Sequence, residues 1–148
     1  MCFSDLTMAQ QAPDFPVKSI DNVTSLAGLK GKVVYLDFWA SWCKPCRKSF
    51  PWMNDMQQQY ADQGLVVLAV NLDNDSQLAQ QFLQHFPVQF PIVFDPEGDI
   101  AKRYQLLGMP SSYLIDRKGN IRFNHQGFFT SKQSRYQNEL LTLLNQTE

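Results

Sequence analysis

The chain has 148 residues, 44% of them hydrophobic, which is enough for one domain with a sizeable buried core. Its formal net charge of −1 argues against a bulk electrostatic affinity for nucleic acid or for an anionic membrane surface. Three cysteines are too few for a disulfide-stapled secreted scaffold. Two of them, Cys43 and Cys46, are separated by only two residues, and this spacing is typical of a redox site.

Residues 1–11 are predicted to form a flexible lead-in that precedes a single domain at 12–148. The lead-in lacks the basic start and apolar core of a signal peptide, and no stretch of the chain is as long and apolar as a membrane span. Cys2 has two interpretations. It is either a lipidation site at the start of a mature lipoprotein, which would tether the protein to a membrane, or a free thiol in a disordered tail.

The first strong structural signals surround the cysteine pair. The run 33–39 is almost continuously apolar, β-branched and aromatic, which predicts a central strand buried on both faces. A helix is predicted over 45–63, with a kink at Pro51, because proline removes a backbone donor, and with an end at Gly64. A second buried strand is predicted at 65–71.

The second half of the chain continues the alternation. A helix is predicted over 75–86, with Leu78, Phe82 and Phe86 on one face at i, i+4 and i+8. The later predicted elements are a strand at 91–94, a short helix at 97–104, a hairpin of strands at 112–116 and 121–125, and a last helix at 131–145. This order indicates an α/β domain with a mixed sheet.

The cysteine pair lies where the first buried strand gives way to the helix. Cys43 is expected at the helix N-terminus, where the helix dipole and unpaired backbone N–H groups favour a thiolate. Cys46, one turn further on, is expected to be more buried and to act as the resolving thiol. Pro45 limits the freedom of the intervening loop. Three nearby cations also favour the thiolate: Lys44, Arg47 and Lys48.

Other uses of the pair are less favoured. A structural disulfide of this size would constrain little of an unfolded chain. A zinc site needs further ligands, and only Cys2, His85 and His125 are left, with neither histidine at a typical ligand spacing from the pair. Redox chemistry is therefore the leading interpretation.

Asp37 and Pro110 are the other two chemical signals. Asp37 interrupts the apolar strand six residues before Cys43, so we expect a desolvated carboxyl with a raised pKa that accepts the proton of Cys46. The alternative is a solvent-facing aspartate at a strand end. The Met109–Pro110 bond precedes a strand and is a candidate for the cis form, although an ordinary trans proline at a strand end is the alternative.

These motifs carry a family resemblance. Residues 37–47 resemble the active-site signature of the thioredoxin superfamily, Pro51 resembles the kink proline of its first active-site helix, and 108–116 resemble its cis-proline loop. The resemblance extends over 12–145. It implies a thioredoxin-like fold, with a central mixed sheet flanked by helices, an N-terminal extension and a helix–strand insertion before the cis-proline loop.

The resemblance also implies how a substrate is held. Pro110 would be cis and pack beside the disulfide, and the backbone of Met109 would pair with an extended substrate segment. Gly127 and Phe128 would form a third wall of an apolar docking patch around Cys43. The substrate-binding residues expected on this basis are Trp42, Lys44, Pro45, Met109, Pro110, Gly127 and Phe128.

Three further segments, at 12–15, 29–32 and 70–73, resemble the TlpA/ResA-like branch, which is related to AhpC/TSA proteins. The branch implies a periplasmic or other extracytoplasmic thiol–disulfide oxidoreductase, often membrane-tethered, with a role such as cytochrome c maturation. We expect a monomer that acts on protein thiols and disulfides, depends on a separate electron-donor protein, and uses no cofactor beyond its Cys43–Cys46 disulfide. The alternatives are a copper- or zinc-handling module that uses these thiols with Met109, and a thiol peroxidase.

Overall fold

The computed structural model describes residues 10–146. In chain order the strands are β1 (Gln10–Gln11), β2 (Val33–Trp39), β3 (Leu65–Asn71), β4 (Ile92–Phe94), β5 (Ser111–Ile115) and β6 (Asn120–Gln126), and the helices are α1 (Lys44–Tyr60), α2 (Ser76–His85), α3 (Asp99–Arg103) and α4 (Gln133–Leu144). The strands form one sheet in the order β1-β6-β5-β2-β3-β4. The pairs β2–β3 and β3–β4 are parallel, and the other three pairs are antiparallel. The predicted α/β architecture with a mixed sheet is confirmed.

Strand β2 is buried along its whole length because both of its faces are covered. Val33, Tyr35 and Trp39 belong to a core cluster shared with α1, α2 and α4. The intervening apolar side chains belong to a second cluster, shared with α3 and with the segment that precedes β2. We call the first side of the sheet the α1 face. Two-sided burial explains why the strand lacks an alternating polar pattern.

Helix α1 and strand β3 match their predicted positions closely. The helix includes Pro51 and passes into a short 3-10 turn at Ala61–Gln63. Gly64 then adopts a left-handed backbone, with φ of 103°, and ends the helical segment one residue before β3. A non-glycine residue would be strained in this backbone conformation, which explains why Gly64 correctly predicts the end of the helix.

The predicted buried face of α2 is partly wrong. Leu78 is 47% exposed, whereas Ala79 and Phe82 are buried, and Phe86 just beyond the helix packs against the same cluster. The buried face therefore follows i, i+3 and i+7 from Ala79, and Leu78 lies about 100° away from it around the helix axis. The prediction uses only large apolar side chains and therefore misses Ala79, a small residue that is fully buried.

The predicted lead-in at 1–11 lies mainly outside the described residues, and Cys2 is among those not described. Gln10 and Gln11 form β1, whose partners in β6 are Ile121 and Asn120. Within the described residues, regular structure is thus already present two residues before the predicted domain start at residue 12. Within residues 10–146, no helix is both long enough and apolar enough to span a bilayer.

Candidate active site

The cysteine pair begins α1 directly after a turn that leaves β2. The backbone N–H of Cys43 donates to Ala40 O at 3.1 Å, and Cys43 is the N-cap residue of the helix. Cys43 and Cys46 form a disulfide, with Cα atoms 5.4 Å apart. Cys43 is 4% exposed and Cys46 is fully buried, so the prediction that Cys46 is the less accessible thiol is confirmed.

The surroundings of Cys43 favour negative charge. The first turn of α1 carries no acidic residue, so nothing there offsets the positive end of the helix dipole. Lys44 is exposed beside Cys43, and Lys48 is exposed one turn further on. Arg47 has a different arrangement, because its guanidinium lies 6.0 Å from the ring centre of Phe82 and 5.7 Å from that of Phe86. Its charge is directed towards α2.

Asp37 lies on the α1 face of β2, between Tyr35 and Trp39, and this is the face whose core cluster contains both cysteines. The residue is 1% exposed, and its Oδ2 has no hydrogen-bond partner among the described residues. Burial raises the pKa of the Asp37 carboxyl well above its usual value. The predicted desolvation is confirmed, and the alternative of a solvent-facing aspartate is wrong.

The loop before β5 has the predicted cis peptide bond, between Met109 and Pro110. The Ser111 hydroxyl donates to Gly108 O at 2.6 Å and closes the loop. The N–H of Gly127 donates to Pro110 O at 2.7 Å, which joins this loop to the segment that follows β6. Pro110 is buried and Met109 is partly buried.

The aromatic side chains around the site differ from expectation at one position. Trp42 is 67% exposed, as a docking residue should be. Phe128 is only 8% exposed and packs on Trp52 and Tyr136, with ring centres 5.7 and 5.5 Å away. Its neighbour Phe129 is 50% exposed instead. The Lys132 ammonium lies 5.0 Å from the centre of the Phe129 ring.

Asp73 is a site residue that sequence reasoning did not assign. Its carboxylate accepts hydrogen bonds from Ser41 N at 2.9 Å, Ser41 Oγ at 2.8 Å and Asn71 Nδ2 at 2.8 Å. Asp73 is 3% exposed. Because Ser41 lies within the turn that ends at Cys43, this buried carboxylate ties that turn to the end of β3. The available signal is a pair of polar residues at the end of an apolar strand: Asn71, its last residue, and Asp73, two positions later.

A metal site requires several ligating side chains that converge on one point. Within residues 10–146, no three His, Cys, Asp or Glu side chains converge on a common point. His125 and Glu139 do approach one another, at 2.6 Å, on β6 and α4.

Comparison with known families agrees with this geometry. A family model described as the AhpC/TSA family matches residues 8–124. The chain belongs to the AhpC/TSA family. The chain is 41% identical over 128 residues to the thioredoxin-like protein YneN of Bacillus subtilis (strain 168), an alignment that covers 84% of this chain and 74% of YneN. It is 33% identical over 129 residues to the thiol–disulfide oxidoreductase ResA of Bacillus thuringiensis subsp. konkukian (strain 97-27), which covers 86% of this chain and 75% of ResA.

Solved structures give the same assignment of the fold. A Chlorobium tepidum protein, named as a candidate thiol:disulfide interchange protein DsbE, superposes with a TM-score of 0.88 at 44% identity. The superposition covers 93% of this chain and 97% of the other. The fold is therefore thioredoxin-like. With its cysteine pair at the start of α1, this AhpC/TSA family member is a thiol–disulfide oxidoreductase.

Proposed function

We propose that this AhpC/TSA family member is an extracytoplasmic reductase of protein disulfides. The observation that carries the proposal is the placement of Cys43 at the N-terminus of α1, with Cys46 buried one turn behind it. The likeness to proteins named ResA and DsbE supports a dedicated thiol–disulfide exchange protein.

The reaction proceeds by two exchanges between sulfur atoms. The Cys43 thiolate attacks one sulfur of the substrate disulfide, which releases the other substrate sulfur as a thiolate and leaves a mixed disulfide. Cys46 then attacks the Cys43 sulfur, the Cys43–Cys46 disulfide forms, and the second substrate sulfur leaves. Two electrons pass from the protein to the substrate, so a separate donor protein must reduce the pair again.

Asp37 handles the proton of the second exchange. Cys46 must lose its proton before it can attack, and it lies in an interior that disfavours an unpaired charge. A carboxyl whose pKa is raised by burial is a stronger base than an ordinary aspartate, so it accepts a proton more readily. The Asp37 carboxylate takes this proton and becomes neutral as the disulfide closes.

Substrate recognition combines an exposed backbone edge with apolar side chains. The partly buried Met109, before cis Pro110, offers its backbone to an extended substrate segment, as in strand addition. Trp42 supplies exposed aromatic surface beside Cys43, with Lys44 and Pro45 on the adjoining turn of α1. The remaining wall consists of Gly127 and the exposed ring of Phe129, because the predicted ring of Phe128 is buried.

The proposed setting follows the ResA-like relatives. The substrates are exported proteins that carry reducible Cys-x-x-Cys pairs, such as apocytochrome c. A tether through Cys2, or through a segment beyond these 148 residues, would hold the monomer at the outer side of a membrane.

The reduction potential of the Cys43–Cys46 pair tests the direction of electron flow. We would equilibrate the protein in dithiothreitol buffers of known potential and follow tryptophan fluorescence. A potential at or below about −270 mV, the thioredoxin value, is expected for a reductase. A potential near about −120 mV, the value of the oxidant DsbA, would overturn the proposal.

The substrate class needs its own assay. The reduced protein is mixed with an oxidised peptide of the haem-attachment type Cys-x-x-Cys-His, and the peptide thiols are counted. We expect stoichiometric reduction by the wild type and none by Cys43→Ser, whose fold is checked by circular dichroism. Retained peptide reduction by Cys43→Ser would refute the role of this thiol. Tight, stoichiometric binding of copper or zinc by the reduced protein in equilibrium dialysis would favour the metal-handling alternative.

A further inference from the structure

Three polar side chains form a row across neighbouring strands behind the disulfide. Asp37 of β2 lies directly opposite Ser112 of β5, and Ser112 lies directly opposite His125 of β6. Directly opposite residues of antiparallel strands place their side chains on the same face, with Cβ atoms about 5 Å apart. The row Asp37, Ser112 and His125, called the polar row below, therefore spans about 10 Å.

The polar row lies on the α1 face of the sheet. Leu114 is two residues from Ser112 and Phe123 is two residues from His125, so each pair of neighbours shares a face. Both Leu114 and Phe123 pack in the core cluster that contains the two cysteines. The row therefore runs through the same side of the sheet as the disulfide, beneath α4.

The outer end of the polar row is a hydrogen-bonded pair. His125 Nε2 lies 2.6 Å from Glu139 Oε1. Arg135 Nε lies 3.5 Å from the other oxygen of Glu139. The side chains of His125 and Glu139 are 15% and 11% exposed, so this end reaches solvent, whereas Asp37 at the inner end is buried.

Tyr35 lies beside the row and within electrostatic reach of both ends. Burial raises the pKa of its hydroxyl most, the carboxylate of Asp37 raises it further, and the Ser112 hydroxyl lowers it. Tyr136 and Glu139 of α4 make smaller contributions that also raise this pKa. The ring of Tyr136 covers His125, with ring centres 4.8 Å apart.

Three groups lie next to His125: Glu139 and Tyr136 from α4, and Ser112 from β5. A hydroxyl group both donates and accepts hydrogen bonds, so Ser112 and Tyr35 can relay a proton between groups that they do not permanently bond.

We propose that the polar row is the route by which a proton moves between Asp37 and solvent, with the His125–Glu139 pair as its outer end. The proposal rests on the proposed function, in which the Asp37 carboxylate takes the proton of Cys46 as Cys46 displaces the substrate sulfur. That proton then passes through the Ser112 or Tyr35 hydroxyl to His125 and leaves to water at Glu139. No electron moves along the row. Ser112, His125 and Glu139 are thus proton-handling residues that take no part in the exchange between sulfur atoms.

The test separates sulfur chemistry from proton release in one stopped-flow experiment. The reduced protein is mixed with 5,5′-dithiobis(2-nitrobenzoate) at pH 8, together with a pH-indicator dye. The aromatic thiol released from this reagent is acidic and leaves as a coloured thiolate, so its release takes up no proton. Release of the first thiolate reports attack by Cys43, and release of the second reports closure of the Cys43–Cys46 disulfide. In the wild type we expect proton release in step with the second thiolate.

Two variants interrupt the row at different points. His125→Ala removes its outer end, and the double variant Tyr35→Phe with Ser112→Ala removes both hydroxyls from its middle. In each we expect proton release, or the second thiolate itself, to slow by at least about tenfold, since positioned proton transfer commonly contributes that much. Added imidazole should restore the rate in His125→Ala and leave the double variant slow. A merely structural role of His125 would not show this difference in rescue.

The matched control is Arg135→Ala, which removes a 67% exposed partner of the same Glu139. We expect it to release protons as fast as the wild type. Unchanged proton release in both row variants, or slowing that imidazole does not relieve in His125→Ala, would overturn the proposal. With one equivalent of reagent, the total thiolate released tests the proposed function separately, because each reagent molecule yields two thiolates when the disulfide closes and one when it does not.

Discussion

The buried carboxylate of Asp73 should be essential for the stability of the turn that presents Cys43. Asp73→Ala leaves three donors without an acceptor: the N–H and hydroxyl of Ser41 and the amide of Asn71. The Asn71 amide is buried and the two Ser41 donors are partly buried. The substitution therefore removes most of the polar contacts that join the turn to the end of β3.

The magnitude follows from these three bonds. A hydrogen bond to a charged group contributes about 1.5–3 kcal/mol, and an unsatisfied buried donor costs about 1–3 kcal/mol. Water can reach the Ser41 donors after the truncation, so the full sum will not be lost. We expect Asp73→Ala to lower the free energy of unfolding by about 3–4 kcal/mol. Urea unfolding of the oxidised protein, followed by circular dichroism, measures this loss.

A neighbouring aspartate gives the matched control. The side chain of Asp75 accepts a single hydrogen bond, from Gln77 N at 3.0 Å, as the N-cap of α2, and the residue is exposed. Asp75→Ala should therefore cost only about 1 kcal/mol, the usual cost of a lost cap. If Asp73→Ala were no more destabilising than Asp75→Ala, the Ser41 contact would have no special stabilising role and the reasoning would be refuted.

Three further predictions concern single substitutions. Burial raises the pKa of Asp37, so the folded protein keeps a proton that the unfolded chain loses above about pH 3.9, and the stability of the folded protein falls as pH rises. Asp37→Asn stays neutral, so its stability advantage over the wild type in urea unfolding should be larger at pH 8 than at pH 5. An equal advantage at both pH values would contradict this. Gly127→Ala should cost about 1–2 kcal/mol, because φ is 82° and the new Cβ would lie 3.2 Å from the Phe129 ring, whereas Gly108→Ala, which has open space, should unfold like the wild type. Phe129→Ser should lower kcat/KM severalfold for a protein disulfide and leave the rate with a small aromatic disulfide unchanged. Equal losses of activity on the two substrates would argue against a docking role for the Phe129 ring.

Local signals predicted the parts of the site that depend on neighbouring residues. The apolar run of β2, the start of α1 at the cysteine pair and the stop at Gly64 each follow from residue type and immediate context. The pKa of Asp37 was also predictable, because a carboxyl in the middle of a strand buried on both faces has no access to water. The cis bond at Pro110 followed from its loop and the family resemblance together.

The sequence could not predict contacts that depend on how distant segments meet. Ser41 and Asp73 are 32 residues apart, and only the parallel pairing of β2 with β3 brings them together. The choice between Phe128 and Phe129 depends on the chain direction after Gly127, and a shift of one residue exchanges the buried ring for the exposed one. The pairing of β1 with β6 likewise joins distant residues, such as Gln10 and Ile121, and no local sequence pattern predicts it.

The central claim is that Cys43 is the attacking thiol and Cys46 the resolving one. Mass spectrometry of the mixed disulfide tests this most directly, with a reduced Cys46→Ser protein mixed with a Cys-x-x-Cys-His peptide disulfide. The account predicts a stable one-to-one adduct whose only modified residue is Cys43, and no adduct with Cys43→Ser under the same conditions. An adduct on Cys46 in the Cys43→Ser protein, formed as fast as the first, would contradict it.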